Sequence, residues 1–307
     1  MDSFFEKIHT EHWQFSDFFI LALISSVLLV ALGQLAGDFI ITALFHNSTD
    51  PFISIFGQYF SFIGIWIVVV ANILIWRRNR PIIKTLGPAL KNNNVKYLGL
   101  GLLIGFAMNG FCILIAWLNK DIALSFSSFE IGPLLALLFA VFVQSSAEEL
   151  VGRCFGYYRI TRGYRSRVFA VLCNSILFAS LHLGNPGISA LPIIELFLTG
   201  IMFGFCVLYF DSLWMAFGIH TMWNYTQNII FGLPNSGVVT PYSVFRLDAA
   251  NARQSFAYGP EFGIEGSVLS ILLHCLVTVL LWYIGTKKQI VSYDPWLNFE
   301  ADKFEEE

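Results

Sequence analysis

The sequence predicts an all-α polytopic membrane protein, with about eight transmembrane helices around a mid-membrane polar cavity. Three observations lead there. Hydrophobic residues make up 56% of the chain and charged residues 13%, whereas soluble domains run near one quarter charged. Eight apolar runs punctuate the chain, most of them matching the ~20 residues a bilayer core requires. Lysine and arginine fall almost wholly into alternate connections between those runs.

The first run, 17–45, follows a mostly polar start and is longer than a signal-peptide core, so no cleaved leader is expected. The second and third are 52–76 and 97–118, and residues 1–131 form an N-terminal unit of three helices. A core unit, 132–232, carries the runs 132–158, 168–182, 191–210 and 213–232. Its second run is short, and the hairpin "FDSLW" between its last two is very tight. Gly-x-x-x-Gly pairs at Gly101/Gly105 and Gly200/Gly204 imply close helix packing. Residues 233–265 form a long connector rich in Gly, Pro, Ser and Asn, of the kind that is either a functional lid or disordered. The last run, 266–286, and an acidic tail "FEADKFEEE" complete a third unit, 233–307.

Fifteen of the eighteen lysines and arginines lie on the side that both termini share, so both termini are expected in the cytoplasm. This pattern, without a transit peptide, is compatible with a bacterial inner membrane. The net charge of −3 shows no clustering that suggests nucleic acid, so the expected partner is the lipid bilayer and no nucleic acid is expected. Five cysteines (Cys112, Cys154, Cys173, Cys206, Cys275) stand singly in apolar runs and read as buried thiols.

Polar groups interrupt three of the runs. The fourth ends in "AEELVGR", where Glu149 precedes Arg153 by four residues, the favourable order for a helical ion pair. Glu148 lies ~100° round the helix, on a face with Gln144, Ser145 and Gly152. The fifth run closes with "FASLH", setting Phe178 and His182 one turn apart. The seventh carries "HTMWN", with His220 and Asn224 on a face that continues to Gln227 and Asn228. At ~1.5 Å per residue, Glu148, His182, His220 and Asn224 all lie ~14–22 Å from the cytoplasmic ends of their helices. They therefore share one mid-membrane layer. The irregular "LGNPGIS" beyond His182 is expected to line a cavity, the one setting in which such backbone is tolerated at depth. Structural readings stand beside these: Glu149 with Arg153 as a helix-holding ion pair, His220 and Asn224 as interhelical hydrogen bonds. His274 in "LLHCL" reads as a packing residue.

The chemistry of this set is specific. A carboxylate can act as general base on a water molecule, and a histidine opposite can orient that water. A second histidine with an asparagine one turn on offers two donors to a developing oxyanion. The deduced reaction is hydrolysis of a carbonyl substrate inside the bilayer, with an amide the natural case. Cys154 faces away from the Glu148 side. Glu148, His182 and His220 are also a zinc donor set with water as the fourth ligand. The H-E-x-x-H arrangement is missing, so the cofactor is unknown, with metal-bound and carboxylate-bound water both open.

Three motifs stand in order: "EELVGR" as E-E-x-x-x-R, "FASLH" as F-x-x-x-H and "HTMWN" as H-x-x-x-N. Over about residues 130–232 the chain thereby resembles the CPBP family of intramembrane proteases, also called the Abi family, which includes the type II CAAX prenyl endopeptidases. The resemblance implies that Glu148 activates the water with His182 as its partner. It implies that His220 and Asn224 stabilise the oxyanion while Glu149 and Arg153 shape the site. A membrane-embedded or lipidated, CAAX-like peptide is the implied substrate, and the implied hydrolase is glutamate- or metal-dependent. Two other classes use the same residues: a catalytically silent binding or immunity scaffold of this family, and a transporter with an ion path through the polar layer. Transport lacks the paired interrupted helices that many transporters carry.

Overall fold

The computed structural model describes residues 4–46 and 48–297; the acidic tail at 299–307 lies outside them. The eight apolar runs become α1 (Phe19–Phe45), α2 (Pro51–Ile75), α3 (Val95–Leu118), α4 (Ile131–Gly163), α5 (Arg167–Leu181), α6 (Ala190–Phe210), α7 (Leu213–Asn224) and α8 (Val268–Lys288). Among the described residues six of these, all but α5 and α7, are long and apolar enough to cross a membrane. The chain is an integral membrane protein. Helix α5 is the short run that the sequence marks, and α7 is prolonged by a π-wound stretch, Tyr225–Ile230.

Two local departures matter for the site. Helix α4 continues past its expected end at Tyr158 to Gly163, and Leu150–Gly156 within it is π-wound. A π turn carries an extra residue per turn and often marks a functional site; this one begins directly after Glu149 and contains Arg153. Helix α2 is interrupted between Phe60 and Ile63, where α1 presses on it so closely that a Cβ at Gly37 would overlap the Ser61 carbonyl.

Both Gly-x-x-x-Gly pairs lie at helix contacts, as expected. A Cβ on Gly101 would stand 2.3 Å from the Met215 carbonyl oxygen, and one on Gly105 2.2 Å from that of Ile219. Helix α3 therefore rests directly on the turn of α7 that presents His220. Gly200 and Gly204 meet Ser175 and Val171 and bring α6 onto α5. With lipid tails as apolar as the side chains, such close approach is what gains packing energy.

The tight hairpin turns on Asp211, whose φ of 50° is left-handed. Its carboxylate accepts backbone N–H groups from Lys91 (2.6 Å) and Tyr293 (2.8 Å), which ties three segments together. Burial raises the pKa of this carboxyl, and the two backbone donors oppose the rise. On the same side, fully buried Asp17 accepts from Arg162 Nε at 2.9 Å and from Arg78 Nη2 at 3.1 Å.

The connector is packed rather than loose. A short strand β1 (Leu124–Phe126) pairs antiparallel with β2 (Phe245–Leu247) inside it. Gln227 Nε2 donates to the Pro234 carbonyl at 2.6 Å, and Asn228 Nδ2 to the Leu233 and Val238 carbonyls at 3.0 and 3.1 Å. From the other side Asn185 Nδ2 donates to the Ser236 carbonyl at 3.1 Å. The polar face that α7 continues beyond Asn224 is thus the mooring of a cap.

Candidate active site

Helices α1, α2 and α4 to α8, together with the connector, enclose a cavity of about 350 Å³. Glu148 from α4, His182 from the end of α5, and His220 and Asn224 from α7 all face it. The shared depth read from the sequence is therefore a shared wall. Asn185 of the irregular "LGNPGIS" lines it too.

The innermost group is Glu149, which is fully buried. Its Oε1 lies 3.2 Å from Arg153 Nη1 and 3.0 Å from His220 Nδ1. Arg153 donates through Nη2 to the Gly200 carbonyl at 3.3 Å. Its guanidinium is held between two rings, 4.5 Å from the centroid of Phe178 and 5.1 Å from that of Phe203. The Phe of the F-x-x-x-H motif is thus one wall of a cation–π slot. Phe203 also stacks on the His220 ring, at 5.1 Å and 23°. Charge on one edge and an aromatic face on the other fix the imidazole.

That fixed imidazole is the one that approaches Glu148: His220 Nε2 lies 3.8 Å from Glu148 Oε2. His182, expected as the partner of Glu148, makes a different contact. Its Nδ1 lies 2.8 Å from the Phe178 carbonyl. A carbonyl only accepts, so Nδ1 carries the proton and Nε2 is left as an acceptor for the cavity. Glu148 Oε1 accepts from Gln144 Nε2 at 2.5 Å, while Oε2 is buried without a hydrogen-bond partner. Gln144 is held in turn by Asn224, whose Nδ2 donates to Gln144 Oε1 at 3.0 Å and to Ser145 Oγ at 3.4 Å. The amide expected to face an oxyanion instead anchors Gln144, one link removed from Glu148. Gly152, one turn beyond Glu148, has nothing within 4 Å of where a Cβ would stand, which leaves room beside the carboxylate.

The zinc alternative meets a geometric obstacle. Zinc takes nitrogen and oxygen donors at about 2.0–2.2 Å in a tetrahedron. Among the described residues no group of three or more His, Cys, Asp or Glu side chains is gathered closely enough to hold a metal ion. Glu148, His182 and His220 share a wall without converging on one point, so this donor set does not fit a resident zinc. Cys154 is fully buried with its sulfur 3.2 Å from Thr85 Oγ1, and it does not line the cavity.

Two further carboxyl groups and an imidazole line the cavity: Glu195 on α6, Glu265 in the connector and His274 on α8. His274, read from the sequence as a packing residue, is buried against Trp223, with ring centroids 4.7 Å apart. Its Nδ1 donates to the Ser270 carbonyl at 2.9 Å and lies 3.2 Å from Glu195 Oε1, which accepts from Ser270 Oγ at 3.1 Å. Glu265 accepts from Trp223 Nε1 at 3.0 Å and from the Ser236 N–H at 2.7 Å. A signal for Glu195 was present, since a lone carboxylate within "ALPIIELFLTG" is an intramembrane charge. Glu265 sits in an aperiodic connector that gave none.

Residues 130–226, which contain all three motifs, match the family model for type II CAAX prenyl endopeptidase Rce1-like proteins. The match is consistent with the CPBP family and with a CAAX-type intramembrane protease in general, hence a peptidase. No curated protein and no solved structure matches the chain.

Proposed function

We propose that this protein is an intramembrane endopeptidase that cleaves a membrane-associated or lipidated, CAAX-like substrate, with Glu148 activating the attacking water. The observation that carries this reading is the state of the Glu148 carboxylate. One oxygen is anchored by Gln144, and the other is buried at the cavity wall with no hydrogen-bond partner. A water seated there loses a proton to Oε2 as its oxygen bonds to the peptide carbonyl carbon. His182 Nε2 accepts from the same water and sets its direction. Charge builds on the former carbonyl oxygen. His220, bracketed by Glu149 and Glu148, offers it Nε2–H. The Glu149–Arg153 pair holds that ring, and Asn224 holds Glu148 through Gln144. The intermediate collapses with cleavage of the C–N bond, and the proton on Glu148 passes to the leaving amine. The lysine and arginine distribution supports both termini being cytoplasmic, so that the connector caps the cavity from outside.

The test is terminal-peptide profiling of membranes from cells that express the wild type or Glu148→Gln. Termini present only with the wild type identify the substrate and support the hydrolase. Identical sets favour a silent binding scaffold.

A further inference from the structure

The second polar cluster in the cavity has no role in the mechanism above. It draws on four parts of the fold: Glu195 and Thr199 from α6, Ser270 and His274 from α8, Trp223 from α7, and Asn235, Ser236 and Glu265 from the connector. Glu195 is 1% exposed and Glu265 4%. Glu195 accepts from a serine hydroxyl, and Glu265 accepts from an indole N–H, a backbone N–H and a serine hydroxyl. Among the described residues neither pairs with an arginine or lysine, unlike Glu149. Removing a carboxylate from water without a cation beside it is expensive; burial accordingly raises the pKa of the Glu265 carboxyl, and a cation seated beside it would favour the ionised form.

Independent observations indicate what is missing. Asn235 Oδ1 is buried without a hydrogen-bond partner, and the residue lines the cavity at 7% exposure. An amide oxygen only accepts, so Asn235 waits for a donor. Trp223 adds an indole face, the aromatic surface that best attracts a cation. Around the cavity, Glu148, Glu195 and Glu265 stand against the single guanidinium of Arg153. An unmet acceptor, two buried acidic side chains without an arginine or lysine, and an indole call for a donor-rich cation.

We infer that this cluster is a subsite for an ammonium or guanidinium group of the substrate, seated between Glu195 and Glu265 beside Trp223 and Asn235. The inference deepens the peptidase reading and rests on it: a lysine or arginine held here fixes which peptide bond reaches Glu148. An ammonium brings three hydrogen-bond donors, matching Glu195, Glu265 and Asn235 in number.

The test separates binding from cleavage. Full-length Glu148→Gln protein in nanodiscs is titrated with fluorescent twelve-residue Leu/Ala/Gly peptides in which a single Lys, norleucine or Glu is walked through the sequence. At one position the lysine peptide is expected to bind about tenfold more tightly than its norleucine counterpart, with glutamate weakest. Adding Glu195→Gln, or Glu265→Gln should the first variant fail to fold, is expected to bring that ratio below about threefold while norleucine binding holds. Equal binding of all three peptides at every position overturns the subsite, as does a preference that persists in both variants. A lysine preference in a protein whose wild type cleaves nothing keeps the subsite and removes the peptidase. Cleavage of lysine and norleucine peptides with equal kcat/KM does the reverse.

Discussion

Truncating Arg153 to alanine isolates the part of the site that is structural. The side chain is 1% exposed, and its partner Glu149 is fully buried. Arg153→Ala removes the 3.2 Å bond to Glu149, the 3.3 Å bond to the Gly200 carbonyl and the contacts with Phe178 and Phe203. Glu149 is left with His220 alone. Breaking a buried ion pair from one side costs about 3–5 kcal/mol, roughly a hundredfold to several thousandfold in the folding equilibrium. Removing both charges is a different perturbation. Glu149→Gln with Arg153→Met keeps the volume and leaves no uncompensated charge, so most of the loss returns. Steric trapping of the purified protein in bicelles measures both variants on one scale. An Arg153→Ala protein within about 1 kcal/mol of the wild type would refute the reasoning. So would a double variant less stable than the single one.

The remaining predictions concern packing, access and titration. Gly105→Ala puts a methyl group 2.2 Å from the Ile219 carbonyl, next to His220; a loss of about 1–3 kcal/mol together with turnover is expected, and thermal unfolding at wild-type values would contradict it. Gly152→Leu projects into open space beside Glu148, so stability should hold within about 1 kcal/mol while cleavage stops; full activity would show that substrate does not use that space. Gln144→Leu frees Glu148 Oε1 and strands the Asn224 amide, lowering kcat by about a hundredfold with KM little changed, as steady-state kinetics would reveal. Burial, reinforced by Glu195, pushes the Glu265 carboxyl from 4.5 up to about 8. The folded protein then holds the extra proton across that window, so this contribution to stability is complete below 4.5 and lost as pH rises through 8. Glu195 on α6 and His274 on α8 stand with Glu265 in the same cluster. Thermal stability should therefore fall from pH 4.5 to 8 less steeply in Glu265→Gln; an unchanged slope would show that another group titrates.

What the sequence disclosed was local or periodic. The Glu149–Arg153 pair needs only four residues of helix, and the common depth of Glu148, His182, His220 and Asn224 needs only a constant rise per residue. The glycine pairs on α3 and α6 carried their own packing signal. Helix rotation was not legible, and it decides the partners: His220, rather than His182, approaches Glu148, and Asn224 turns to Gln144. The π-wound stretch at Leu150–Gly156 shifts every side chain after Glu149, and no hydropathy pattern marks it. Glu195, His274 and Glu265 come from three separate elements, each bringing one ionisable residue to the cavity with no spacing to link them. The connector has no periodicity at all, although its moorings, Gln227 and Asn228, were visible as a polar face.

The most direct measurement is the turnover of an identified membrane peptide by purified wild-type and Glu148→Gln proteins of matched thermal stability. Loss of the base should lower kcat by about 10²–10⁴, with peptide affinity retained. A Glu148→Gln enzyme within about tenfold of the wild type would contradict the assignment of water activation to this carboxylate.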